Sequence, residues 1–245
     1  MLKLLKKRSF DKPAWSAATA LAVVALTLLI PLAIWFAIYG LVKTGVIPLA
    51  AGKFILSDNS WASLVRIIIS FAIELSLLYW VKQRYHLKLA DFGLRKFSLW
   101  RAIITIVGVF MIFIGLLFVA YLLITVLWPQ INLDEAQKNG FELGRHGAGL
   151  IGSFIVTVLV APIIEEVYFR GFLLPAFSSK WGDLIGIVLS SAIFGVLHMQ
   201  VNVGIYTFIL GVLLSLMYIR FRSIGPGIML HVLNNALAFF VLLKL

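Results

Sequence analysis

The chain has 245 residues, 62% of them hydrophobic and only 13% charged, where a soluble domain carries about 25% charged residues. Its net charge of +11 falls mostly in loops and at the ends of apolar runs, where anionic lipid and topology account for it, so nucleic acid is excluded as a partner. The absence of cysteine excludes disulfides, thiolate nucleophiles and Cys-ligated metals.

This composition predicts an all-α, polytopic membrane protein. A single transmembrane domain over 1–245 holds about seven spans, an eighth being left open, and leaves no room for a separate soluble domain. A short basic opening (MLKLLKKRSFDK) precedes an apolar run over 15–42. That run is too long for a signal-peptide core of 7 to 15 residues and is read as a retained first span despite Pro31. Trp35 and Tyr39 suit an interfacial belt. The second span covers 61–81 and includes Arg66, close enough to one end to snorkel, and Glu74, which lies deeper.

Residues 82–101 form a loop with six Lys or Arg and the sequence ADFGLRK. The third span is 102–128, in which Gly108 and Gly115, seven apart, suggest a close helix contact. A polar link over 129–145 follows, with Asp134, Glu135 and Glu142 nearly balancing its bases. The fourth span, 147–177, is long for one crossing and is interrupted by Pro162 and Pro175. The remaining spans are 183–199, 203–221 and 226–243.

Basic residues set the orientation. The N-terminal Lys3, Lys6, Lys7, Arg8 and Lys12, the 82–101 loop, Lys180, and Arg220 with Arg222 all fall on one side of a seven-span count. The N-terminus is therefore expected in the cytoplasm.

Within the fourth span, Glu165, Glu166 and Arg170 interrupt a run that is otherwise apolar. Each ionised side chain costs roughly 2.5 to 3.5 kcal/mol at a helix centre, so such residues mark function by default. Glu166 and Arg170 are four apart and share a face, which lets a carboxylate meet a guanidinium. Glu165 points about 100° away and is left for another task.

Two more polar constellations follow, Phe194 with His198 (FGVLH) and His231 with Asn235 (HVLNN). At 1.5 Å per residue, Glu165 and His198 stand roughly 18 and 22 Å from the turn at 177–183, and His231 and Asn235 roughly 9 and 15 Å from Gly225. A carboxylate, two imidazoles and an amide from three helices can thus share one chamber. Each histidine alone suits helix packing, and Asn235 alone suits an interhelical bond; the joint arrangement favours a site.

Glu165, Glu166 and Arg170, then Phe194 and His198, then His231 and Asn235 resemble the three motifs of the CPBP family (CAAX protease and bacteriocin-processing, or Abi) of intramembrane proteases. Those motifs are Glu-Glu-x-x-x-Arg, Phe-x-x-x-His and His-x-x-x-Asn on three different spans. The resemblance covers a core over 148–243, and the FGL tripeptide before the third span is similar too. It implies an intramembrane endopeptidase that hydrolyses a peptide bond in a membrane-bound peptide or protein, whether CAAX-type or peptide-type. Glu165 is implied as general base with His198, His231 and Asn235 as oxyanion donors, and Glu166 with Arg170 as structural support. Amide hydrolysis needs such a base, a positioned water and preorganised donors.

Glu165, His198 and His231 also form an O, N, N set that would suit a catalytic zinc with an open position, in keeping with the family's common metalloprotease label. Other readings are a non-catalytic peptide-binding or immunity-type protein of the same family and, from another class, a proton-coupled transporter, against which the chain shows no inverted repeat. The expected location is a bacterial cell membrane, with the lipid bilayer and a membrane-bound substrate as partners and the active site open toward the cytoplasmic side. Glu74, at a depth close to that of Arg170, is a candidate second partner for that arginine.

Overall fold

The structure is a computed structural model that describes residues 12–57, 60–133 and 147–243. The basic residues Lys3 to Arg8 and the acidic Asp134, Glu135 and Glu142 lie outside the described residues. Every regular element among the described residues is helical: α1 (Ala17–Lys43), α2 (Leu49–Ile55), α3 (Ser60–Arg84), α4 (Leu99–Leu127), α5 (Gly147–Trp181), α6 (Asp183–Val196), α7 (Val201–Phe221) and α8 (Gly225–Leu243). Six of these are long and apolar enough to cross a membrane. α6 is a shorter apolar helix of 14 residues, about 21 Å at 1.5 Å per residue. The chain is an integral membrane protein.

The outer helices are apolar all round and bury only narrow stripes. In α1 the buried residues are Ala17, Ala20, Val23 and Thr27, three or four apart and so on one face. Ser16 caps this helix by accepting from the Thr19 amide, and Pro31 is carried inside it without a break. α4 buries Ala102, Ile106, Phe113 and Ile124. Gly108 and Gly115 are each two residues beyond one of these, about 200° around the helix, and a Cβ at either would meet nothing within 4 Å. The close contact expected at these glycines is therefore absent; they face outward.

Arg66 reaches back to the link between its span and the first. Its guanidinium donates to the carbonyls of Ile55 and Ser57 at 3.1 and 2.6 Å, at the carboxyl end of α2, where helical carbonyls lack partners.

α5 is the axis of the fold. Pro162 and Pro175, read from sequence as interruptions, are accommodated because the helix widens just before each one. Ile155–Val160 and Val167–Leu173 are π-helical, with Ala161 N bonded to the Val156 carbonyl and Leu174 N to that of Phe169, five residues back. A wider turn makes room for a proline ring that would otherwise clash with the preceding turn. The six-residue α-helical piece Ala161–Glu166 between them carries both glutamates.

The end of the bundle where α3 finishes and α4 starts is tightly closed. Leu89–Phe92 forms a single 3₁₀ turn ended by Gly93 at φ 81°, and a Cβ on Gly171 would sit 2.3 Å from the Phe92 carbonyl oxygen. The FGL loop therefore lies directly on α5. Trp15 stacks on Phe92 and Phe172, with centroids 5.7 and 5.5 Å apart, and donates its indole N–H to the Phe172 carbonyl at 3.0 Å. Ile224 N bonds to Gly93 O at 3.0 Å, which ties in the α7–α8 turn. Phe172, Leu173, Leu174, Ala176 and Ile224 are fully buried here.

Candidate active site

Glu166 and Arg170 meet as their spacing requires, with Arg170 Nη1 2.8 Å from Glu166 Oε1 and both side chains 1% exposed. The guanidinium also donates to the Gly211 carbonyl at 3.2 Å and lies 4.7 Å from the centroid of the Phe194 ring, so its charge meets a carboxylate, a carbonyl dipole and an aromatic face. A Cβ on Gly227 would lie 3.0 Å from Glu166 Oε2, which is how α8 comes close enough to bring His231 to the pair.

His231, 3% exposed, stands between two carboxylates: Nδ1 is 3.1 Å from Glu166 Oε1, and Nε2 is 3.5 Å from Glu165 Oε2. The Glu166 contact lets the ring donate from Nδ1 and turns Nε2 toward Glu165, the logic by which a carboxylate behind an imidazole fixes its orientation. Glu165 is 23% exposed and faces a cavity of about 940 Å³. His198, Asn235 and His231 line the same cavity, so all four residues singled out from sequence border one space.

His198 is not inside a span as expected. α6 ends at Val196, and His198 sits in the turn beyond it, next to Met199 at φ 56°. Its Nδ1 bonds to the Phe194 carbonyl at 2.8 Å, which leaves Nε2 as the nitrogen available to the cavity. Phe194 packs edge-on against both His198 and His231, at 5.0 and 5.8 Å, and so sets the spacing of the two imidazoles.

Asn235 is held by a relay that sequence reasoning missed. Tyr206 donates to Asn234 Oδ1, Asn234 Nδ2 donates to Asn235 Oδ1 at 3.3 Å, and Asn235 Nδ2 donates to the Thr157 carbonyl at 2.9 Å. That carbonyl is free for a reason visible in the chain. In the five-residue register of the π turn its donor would be residue 162, and Pro162 has no N–H. The neighbouring asparagine in HVLNN was the only available signal for the relay.

Glu74 does not join Arg170. It lines the cavity with Glu165, and Arg170 is engaged by Glu166, Gly211 and Phe194 instead. Nor do Glu165, His198 and His231 fit the zinc set: among the described residues no three His, Asp or Glu side chains gather as metal ligands, and His231 Nδ1 is turned to Glu166.

The cavity runs from the middle of the bundle toward one end. α3 contributes Ile67 to Glu74, α5 Val156 to Phe169, and α7 Val203 to Leu210, while α8 contributes His231 to Leu243 and α6 only its last turn. The turns of α3, α5 and α7 beyond Glu74, Phe169 and Leu210, toward the basic end, contribute nothing.

Residues 147–237 match the family model described as "Type II CAAX prenyl endopeptidase Rce1-like". Over that stretch the chain is similar to the CAAX-type endopeptidase family. All seven motif residues of this family core, from Glu165 to Asn235, lie inside the matched stretch, as do the two π turns and Tyr206. No curated protein and no solved structure matches the chain.

Proposed function

We propose that the chain is an intramembrane endopeptidase that cleaves a membrane-bound peptide or protein by a glutamate-activated water. The observation that carries the reading is Glu165, a carboxylate open to a membrane-level chamber, with an imidazole against it and a second imidazole and an oriented amide on the same walls.

In this mechanism Glu165 takes a proton from a water held between it and His198 as the water oxygen attacks the peptide carbonyl carbon. Negative charge then develops on the carbonyl oxygen. Asn235 meets it with its second amide N–H, the first being committed to Thr157, and the His231 ring, held through Nδ1 by Glu166, faces it with Nε2. Donors fixed before the reaction stabilise that charge without reorganising, which is where the largest rate gains arise. When the C–N bond breaks, the proton on Glu165 passes to the leaving amine. Arg170 neutralises Glu166, so Glu166 can hold the His231 ring without leaving an unpaired buried charge.

Comparative membrane peptidomics of wild type and Glu165→Ala tests the reading. Peptides that depend on Glu165 are expected, and their absence with folded variant in the membrane would return the chain to the non-catalytic, peptide-binding reading.

A further inference from the structure

The chamber runs from the middle of the bundle toward the end opposite the basic loops. Among the described residues one end carries the six Lys or Arg of 82–101, together with Lys12, Lys180, Arg220 and Arg222; the other carries Lys43, Lys53 and Arg66. Basic loops stay on the cytoplasmic side of a membrane. That end is also the sealed one, where Trp15, Phe92, Phe172 and Ile224 are at most 3% exposed and the FGL loop lies on α5.

The walls of the chamber run from Glu74, Phe169 and His231 toward the other end. From Thr157 to Phe169 its α5 wall is about 18 Å tall, with Phe169 and Phe194 as its floor above the Arg170 pair. At its far end stand Met199, 87% exposed, and the last turn of α8 with Leu242. From Glu165 to the end of α5 at Trp181 is sixteen residues, about 24 Å, and that path runs through packed side chains.

We infer that the chamber opens to the non-cytoplasmic side, and that its substrate is a polypeptide segment delivered there: an exported chain, or the outer-facing part of a membrane-anchored one. The inference rests on the proposed protease activity of the same site and gives it a direction. It sets this chain apart from processing of a cytoplasmic, prenylated C-terminus, because such a tail would have to cross the sealed end to reach Glu165. The class of reaction that must precede this one is translocation of the substrate across the membrane.

The absence of cysteine makes the full chain a ready background for single-cysteine labelling. Met199→Cys and Val201→Cys mark the chamber end, where Val201 is 63% exposed; Lys96→Cys marks the basic end. A membrane-impermeant maleimide applied to intact cells is expected to label either chamber-end cysteine at least tenfold more than Lys96→Cys, with the pattern inverted in inside-out vesicles. Labelling of Lys96→Cys from outside, or equal labelling at both ends, overturns the inference. Two marker positions guard against one substitution that fails to fold.

The peptides that depend on Glu165 supply the second arm. Their origin in extracytoplasmic segments supports the direction of access, and their origin in cytoplasmic tails overturns it. Should no such peptide exist while the labelling holds, the protease reading fails and the orientation of the chamber stands.

Discussion

Glu166 touches more of the site than its spacing to Arg170 suggested, since one oxygen accepts from Arg170 and faces His231 Nδ1. Removing its charge by Glu166→Gln strands a guanidinium that is 1% exposed, and breaking a buried pair from one side costs about 3 to 5 kcal/mol. Thermal unfolding in detergent checks this, and a stability within about 1 kcal/mol of wild type would contradict it. Tyr206 acts at one remove, as a positioning residue for Asn235 through Asn234. Tyr206→Phe is expected to lower kcat about tenfold with KM little changed, as loss of a residue supporting a functional side chain does. Equal losses in kcat and stability alone would make Tyr206 merely structural. The Glu166–Arg170 pairing was legible because i, i+4 geometry is local. The Tyr206 relay was not, since it joins residues on three helices whose rotation the sequence does not state.

At the scale of the element, α5 shows how two prolines became part of a site. Pro162→Ala would restore an N–H whose partner in the π register is Thr157 O, the oxygen that Asn235 uses. The helix gains a bond and Asn235 loses its anchor. Cleavage should fall at least tenfold while stability is kept or raised, since proline inside a helix costs about 3 kcal/mol; wild-type activity in this variant would remove the proposed role of the freed carbonyl. Glycines give a paired contrast. Gly171→Ala drives a methyl against the Phe92 backbone and should cost at least about 1 to 3 kcal/mol, as overpacking does, whereas Gly108→Ala, with open space around it, should stabilise by up to about 1 kcal/mol. Unfolding of the two variants side by side checks both signs. Hydrophobic runs located the spans, but not which glycine is crowded. Gly108 and Gly115 carried the expected spacing yet face away from Ile106 and Phe113, because a seven-residue repeat names a face without saying what covers it.

For the molecule as a whole, the arrangement separates a rigid base from an open mouth, and that separation was only half legible. Counting residues along three spans brought Glu165, His198, His231 and Asn235 to one level, because helical rise is uniform. The end at which the chamber opens depends on what fills the other end, and the plug of Trp15, Phe92 and the FGL loop forms by contacts between residues as distant as Trp15 and Phe172. Around the chamber, Leu173, Leu174 and Ala176 at its base are fully enclosed, whereas Met199, Val201 and Val241 at its rim are 63% or more exposed. Regions with few buried contacts open at low free energy, and densely packed ones open only with the whole fold. Amide hydrogen exchange in detergent should therefore find residues 168–177 of α5 and 224–230 at the start of α8 protected the longest. The turn at 197–200 and the last turn of α8 should exchange at least a hundredfold faster. Such a gradient suits the proposed protease, in which donors for the oxyanion are held still at the floor while a polypeptide is admitted at the rim. Uniform protection along α8 would mean that the mouth is as rigid as the base, and entry would then need a separate motion of the helices that line the chamber.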